Sequence, residues 1–316
     1  MGVDVAEAVG VGDGLMHRAF LYRGAAEFRA FIERYLRGGL ARAEPVLIAT
    51  SPTKVSWLRR ELNGDAAGVA FTDMTELGRN PARIIPAIRS FMDRYPGRRI
   101  RCVGEPVWPD RSAAELREAT RYEALVNTAF SGTPATVVCL YDSAELTSSV
   151  LDDAGCTHPA LFRHGSAEEA SSSYLGPDGL PPGCDRPLSR PPATAEHLMY
   201  QRDLRPVRSL VTRCARGARL PARRITDLVL AASEVAANTL RHTRAGGTVY
   251  LWHDEQEILC QIQDSGVIGD RLAGYRLPAD DLPGGKGLWL VNQVCDLVEV
   301  RSSPDGTTIC LHMRLG

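Results

Sequence analysis

The chain has 316 residues, 44% of them apolar, and a formal net charge of −1. That length suits two compact domains with a core each, and the balanced charge excludes the basic footprint of a nucleic-acid binder. The opening residues, MGVDVAEAVGVGDG, lack the basic start and apolar run of a secretion signal, and no apolar run approaches the ~20 residues of a membrane span. A soluble, cytoplasmic protein with no membrane or direct nucleic-acid partner is therefore expected.

In chain order, residues 1–14 read as a flexible N-terminus. Short β-branched runs then alternate with helical patterns. Strands are expected at residues 18–22 (RAFLY), 45–50 (PVLIAT), 69–72 (VAFT), 100–104 (IRCVG) and 135–141 (ATVVCLY). Helices are expected at residues 25–37, 52–62, 82–95 and 112–130. The run ATVVCLY is nearly all apolar, as in a strand covered on both faces. Alternating strands and helices predict an α/β domain around a parallel sheet, spanning residues 15–164.

Residues 165–193 contain GSAEEASSSYLGPDGLPPGCDRPLSRPP, in which serine, glycine and proline displace any hydrophobic period. That composition predicts a linker. The eight cysteines form no C-x-x-C pair and sit mostly in apolar runs, so buried thiols are expected rather than a disulfide frame or a zinc site.

From residue 194 to residue 316 the order changes. An edge strand is expected at 197–204, helices at 207–216, 222–242 and 287–295, and strands at 247–253, 257–264, 298–302 and 307–314. In the long helix Ile225, Leu228, Val229, Ala232, Val235, Ala236 and Leu240 recur at i, i+3, i+4 spacing along one face. Two or three helices on one face of a mixed sheet make a two-layer α+β sandwich.

Four short segments of this part carry chemistry. Glu234 and Asn238 lie four apart on the long helix and project together, away from the apolar stripe. An asparagine oxygen suits Mg²⁺, and a carboxylate one turn earlier suits a proton acceptor. Asp264 and Gly266 end a strand. A carboxylate there can accept from an exocyclic amine, and the glycine lets backbone approach closely. Gly284, Gly285, Lys286 and Gly287 feed a helix N-terminus, where N–H groups and the helix dipole favour an anion. Lys286 is one of only two lysines in the chain. Gly306 and Thr307 form the turn into the last strand. Taken singly, each segment reads equally well as a solvated helix face, an Asp-Ser-Gly turn, a glycine loop or a hairpin turn.

As an ordered set the four resemble the N, G1, G2 and G3 boxes of the GHKL ATPases, a fold shared by gyrases and histidine kinases. SEVAANTLRHT, DSG and GGKGLWLVNQVCD, with 17 residues between Gly266 and Gly284, resemble the anti-sigma-factor serine kinase branch. That resemblance implies ATP and Mg²⁺ as cofactors, with Asn238 on the metal, Asp264 on adenine, and Gly285 and Gly287 at the phosphates. Glu234 is then the implied general base for a serine on a partner protein, and residues 267–283 are the implied ATP lid. The implied partners are a sigma factor, or an antagonist that opposes the anti-sigma activity, and dimerisation is an option the branch carries. A binding module without kinase activity is the alternative. An orphan histidine kinase is a third reading, though the Pro-rich segment stands where a phosphoaccepting helical hairpin is required and His197 falls in an expected strand.

In the first domain His17 with RAFLY, GGLARAEPVLIAT, GEPVW, RYEALVN, VVCLYD and THP resemble the MEDS sensory domain, named from methanogen and methylotroph regulators. The resemblance implies a RecA-like α/β sheet and a small-molecule ligand. After PVLIAT the chain reads Ser51-Pro52-Thr53-Lys54 with no glycine loop, so nucleotide hydrolysis is not expected here. His17, Glu105, Trp108, Glu123 and Asp142 stand at strand ends or on helices and are the candidate sensor-pocket residues.

Overall fold

A computed structural model describes residues 14–62, 68–276 and 286–315. The chain divides into two compact units, Met1–Cys184 and Asp185–Gly316.

The first unit runs β1 (Met16–Tyr22), α1 (Gly24–Ala41), β2 (Val46–Thr50), α2 (Pro52–Leu62), β3 (Val69–Asp73), α3 (Met74–Leu77), α4 (Ile84–Asp93), β4 (Ile100–Gly104), α5 (Ala113–Ala129), β5 (Ala135–Asp142), α6 (Ser148–Thr157), β6 (Ala160–Arg163) and β7 (Glu169–Ala170). The strands form one sheet in the order β3-β2-β4-β5-β1-β6-β7. All neighbours are parallel except the β6–β7 pair.

Strand alternation sends Phe20 and Tyr22 of β1 to the face where Phe28, Ile32 and Leu36 of α1 and Leu58 of α2 are buried. On the opposite face, His17 of β1 and Cys139 and Tyr141 of β5 meet Glu123 of α5. Helices thus cover both faces, and β5 is buried along Ala135–Tyr141 as its apolar run predicts. α5 begins on a capping box: the Ser112 hydroxyl accepts from the Glu115 N–H and the Glu115 carboxylate accepts from the Ser112 N–H.

Two elements of this unit fall outside the sequence expectation, α6 and β6. The Ser/Pro-rich stretch expected to be a linker is bound to the unit in its first half. The Ser171 N–H donates to the Pro159 carbonyl (2.9 Å), its hydroxyl donates to the Gly155 carbonyl (2.6 Å), and the Leu175 N–H donates to the Cys156 carbonyl (3.1 Å). Cys184 is buried.

The second unit contains β8 (Glu196–Tyr200), α7 (Arg205–Gly217), α8 (Ala222–His242), β9 (Gly247–His253), β10 (Glu257–Asp264), α9 (Lys286–Val294), β11 (Leu297–Ser303) and β12 (Gly306–Arg314). The sheet order is β11-β12-β10-β9-β8, and every pairing is antiparallel. The expected mixed sheet is thereby corrected, because hydrophobic period reveals which face is buried but not the direction of the neighbour. Leu228, Ala232, Val235 and Ala236 of α8 pack in one core with Val207 and Val211 of α7, Val291 of α9, and Val249, Ile262 and Leu311 of the sheet. The result is a two-layer α+β sandwich with all three helices on one face.

Candidate functional site

α8 is anchored by its buried stripe, and this turns Glu234 and Asn238 toward the start of α9. A Cβ on Gly287 would stand 3.1 Å from Glu234 Oε2 and 3.3 Å from Asn238 Nδ2. The helix entry can therefore lie against these two side chains only because position 287 has none. Among the described residues Glu234 makes no hydrogen bond or ion pair. Asn238 Oδ1 accepts from the Arg241 guanidinium at 2.7 Å.

Asp264 ends β10 and is fixed from two sides. Its Oδ2 accepts from the Thr239 hydroxyl at 2.6 Å and its Oδ1 from the Gly266 N–H at 2.7 Å. Each carboxylate oxygen keeps a second lone pair for a further donor. A Cβ on Gly266 would come within 3.0 Å of both Asp264 Oδ1 and Thr243 Cγ2.

Thr307 completes the floor through a relay. The Ile268 N–H donates to Ser302 Oγ (2.8 Å), Ser302 Oγ lies 2.8 Å from Thr307 Oγ1, and the Thr307 hydroxyl donates to the Gly266 carbonyl (2.8 Å). This relay ties the last hairpin to the segment that leaves β10.

Asn238, Thr239, Asp264, Gly266, Gly287 and Thr307 line one cavity of about 640 Å³, together with Arg241 and His242. That volume is within the range of small-molecule and cofactor sites. Lys286 opens α9 at its exposed end. Gly284, Gly285 and residues 277–283 of the expected lid lie outside the described residues. The sequence reading missed Thr239, Arg241 and Ser302. Only their closeness to Asn238 and to the Gly306 turn could have signalled them.

The expected G2 glycine provides a test of the packing. Gly287→Ala should lower nucleotide affinity about tenfold, because the new methyl displaces Glu234 and Asn238 by tenths of an ångström. Thermal stability should hold or rise, since alanine favours helix by roughly 1 kcal/mol over glycine. Calorimetric titration and a melting curve on the same variant read the two effects separately.

On the outer face of the sheet His312 is buried between two carboxylates, Nδ1 at 3.2 Å from Glu257 and Nε2 at 3.2 Å from Glu299. Burial alone would lower its basicity, but Cys310 and these carboxylates outweigh it and raise it well above its ordinary value of 6.5. A group raised on folding stabilises fully below its unfolded value and loses that contribution as pH rises through its folded value. The domain should therefore weaken above about pH 6.5, the ordinary histidine value. His312→Gln should cost about 1.5–3 kcal/mol at acid pH and flatten this slope, which denaturant melts across a pH series would record.

The five sensor-pocket candidates of the first unit divide. His17 and Glu123 are brought together, with Nε2 and Oε2 3.2 Å apart. Burial, then the neighbouring His158, lowers the basicity of His17. For Glu123 burial acts upward, but His158 and His17 outweigh it and hold the carboxyl below the usual range. Glu105 lies apart from that pair, at the end of β4. Its Oε2 accepts from Thr50 (2.6 Å) and its Oε1 from Tyr22 (2.7 Å) and from the Lys54 ammonium (2.5 Å). Asp142 Oδ1 accepts from the N–H groups of Gly24 (3.1 Å) and Ala144 (3.0 Å) and so holds the turns that follow β1 and β5. Trp108 is covered by the Arg111 guanidinium, 3.7 Å from its ring centroid. Neither the turn after β1 nor that after β2 contains a G-x-x-x-x-G-K loop.

The fold and cavity of the second unit are those of an ATPase domain, and residues 200–313 match the family described as the histidine kinase-like ATPase domain. Residues 16–159 match MEDS, the methanogen/methylotroph, DcmR sensory domain. The chain thus joins a MEDS domain with a parallel, RecA-like sheet to a GHKL-type ATPase domain, a fold that implies ATP binding.

Among solved structures, the RsbU and RsbW domains of Rv1364c from Mycobacterium tuberculosis align over 40% of this chain at 19% identity and TM-score 0.30. The chain spans 34% of that structure's length. A second solved structure, also an ATPase domain, aligns over 47% of this chain and 68% of its own, at 12% identity and TM-score 0.32. No curated protein compared with the chain matches it. No helix among the described residues is long and apolar enough to cross a membrane.

Proposed function

We propose that the protein is a signalling regulator in which the MEDS domain senses a small molecule and the second domain is an ATP- and Mg²⁺-dependent serine kinase of the anti-sigma-factor type. Its substrate would be an antagonist protein, and its output a switch of partners that governs a sigma factor and so transcription. The observation that carries this reading is the convergence of Asn238, Asp264, Gly266, Gly287 and Thr307 on one cavity, with Glu234 left uncommitted at its edge.

The residues fit a nucleotide. Asp264 has lone pairs available for an exocyclic amine, and Gly266 leaves room for a ring beside it. The N-terminus of α9 and Lys286 offer positive charge to phosphates. Asn238 presents an amide oxygen to a hard cation. When bound, Mg²⁺ neutralises phosphate charge and helps the terminal phosphoryl group transfer. Glu234 accepts the proton of the attacking serine hydroxyl.

The Arg241–Asn238 bond favours a second reading. With Asn238 Oδ1 held by an arginine, the domain could serve as an ATP-dependent binding module that captures a partner without transferring phosphate. Incubating the intact chain with labelled ATP and a serine-bearing antagonist separates the two. Label on serine supports the kinase, and ATP-dependent capture without label supports the module.

A further inference from the structure

Four side chains from distant parts of the first unit, His17, Glu123, Cys139 and His158, are buried together. Each offers one ligand atom, and all four atoms lie within 4.8 Å of one another. The backbone dictates this meeting. His17 pairs in register with Val137 across the parallel β1–β5 ladder, so Cys139, two residues on, shares its face. α5 lays Glu123 over that face, and His158 follows the last residue of α6.

The hydrogen bonds around the cluster fix its protons. Asn127 donates its amide N–H groups to the Ala124 carbonyl (3.2 Å) and the Thr157 carbonyl (2.8 Å). Its Oδ1 is then an acceptor, 3.1 Å from His17 Nδ1. His158 Nδ1 lies 2.9 Å from the Ala154 carbonyl. Both Nδ1 atoms must therefore carry hydrogen, and a neutral imidazole has only one N–H. Both Nε2 lone pairs consequently point inward, where they meet Glu123 Oε2 at 3.2 Å and 3.5 Å. His158 Nε2 has no hydrogen-bond partner and its side chain is 0% exposed. The one proton in the centre is that of the Cys139 thiol, 3.1 Å from Glu123 Oε2 and 3.6 Å from His17 Nε2. Three buried acceptors converging around a single weak donor is an unfavourable arrangement without a cation.

We propose that His17 Nε2, Glu123 Oε2, Cys139 Sγ and His158 Nε2 form a closed, four-coordinate site for a divalent transition metal of the zinc class. The spacings fit a tetrahedron. Bonds of about 2.0 Å to nitrogen or oxygen and about 2.3 Å to sulfur put neighbouring ligand atoms about 3.3 Å and about 3.6 Å apart. The observed edges are 3.2 and 3.5 Å without sulfur and 3.1 and 3.6 Å with it.

Charge and chemistry agree. Two neutral imidazoles, a carboxylate and a thiolate balance a divalent ion, and loading releases the Cys139 thiol proton to solvent. A nitrogen, oxygen and sulfur set favours zinc, cobalt or iron(II) over magnesium or calcium. The Nδ1 bonds to Asn127 and Ala154 are the outer contacts that orient imidazole ligands, and the Tyr141 hydroxyl, 3.3 Å from Glu123 Oε1, holds the second carboxylate oxygen. The ion would tie β1, α5, β5 and the end of α6 together, so the stability of this unit would depend on metal. No part of this inference depends on the kinase reading.

The test loads the intact chain with zinc, dialyses it and measures metal by mass spectrometry, then repeats with cobalt(II) and records its spectrum. About one ion per chain is expected, with a tetrahedral cobalt spectrum and a thiolate charge-transfer band. Cys139→Ala and His158→Ala should retain at least roughly tenfold less metal, and Cys139→Ala should lose the thiolate band. If those variants do not fold, the cobalt spectrum of the unmodified chain decides alone. Retention of no metal by the unmodified chain, or cobalt bound without sulfur ligation, overturns the proposal.

Discussion

Glu234→Gln is expected to reduce phosphate transfer to a partner serine by roughly 10²–10⁴-fold, the range for loss of a positioned general base. ATP affinity should stay within about twofold of the unmodified chain, a free-energy change of ~0.4 kcal/mol. The separation follows from position. Glu234 sits beside the Gly287 entry to α9 but makes no hydrogen bond among the described residues and is not among the side chains that line the cavity. Glutamine keeps the size of the side chain and removes the site that accepts the proton. Equal transfer rates for variant and unmodified chain, in a quenched-flow assay with labelled ATP, would remove Glu234 from the chemistry and with it the support for the kinase reading.

Asn238→Ala carries the second large effect, a fall of about 100-fold or more (~2.7 kcal/mol) in Mg²⁺-dependent ATP affinity. The amide is held one turn below Glu234 on a helix whose opposite face is locked in the core by Leu228, Ala232, Val235 and Ala236. Its oxygen therefore cannot be replaced by a neighbour moving in. Truncation also releases Arg241, whose guanidinium now bonds Asn238 Oδ1. A freed arginine could strengthen phosphate contact without metal, so titrations with and without Mg²⁺ are both needed. Unchanged Mg²⁺ dependence would contradict the assignment of Asn238 to the cation.

Much of this was legible before the fold was known, and the parts that were not share physical causes. α8 was readable to its ends because its apolar stripe is long and strongly periodic, and the strands at residues 247–253 and 257–264 were readable by alternation. α6 and β6 were not, since Val150, Leu151 and Ala154 make too short a stripe and ALFR is only four residues long. The antiparallel order of the second sheet was hidden because side-chain period carries no information about the neighbouring strand's direction. Residues 165–184 looked like free linker by composition, yet Ser171 and Leu175 find carbonyl partners on α6 and its following turn.

The sites divide in the same way. Asp264 and Asn238 were found because short motifs preserve their spacing along the chain, whereas Thr239 and Ser302 act through hydrogen bonds that no spacing announces. The cluster of His17, Glu123, Cys139 and His158 is the extreme case. Its members lie up to 141 positions apart, from residue 17 to residue 158, and Cys139 belongs to no C-x-x-C pair. A buried apolar strand made it look like an inert thiol. Only the register of β1 against β5 brings it beside His17.

The claim on which the account turns is that four separated motifs build one adenine-nucleotide site. Calorimetric titration of the intact chain with ATP and with GTP, each with and without Mg²⁺, tests it most directly. The account predicts one ATP per chain, binding strengthened by Mg²⁺ and at least about tenfold tighter than GTP, with that preference lost in Asp264→Asn. Saturation by GTP as tight as by ATP, or no heat from either nucleotide, would contradict it.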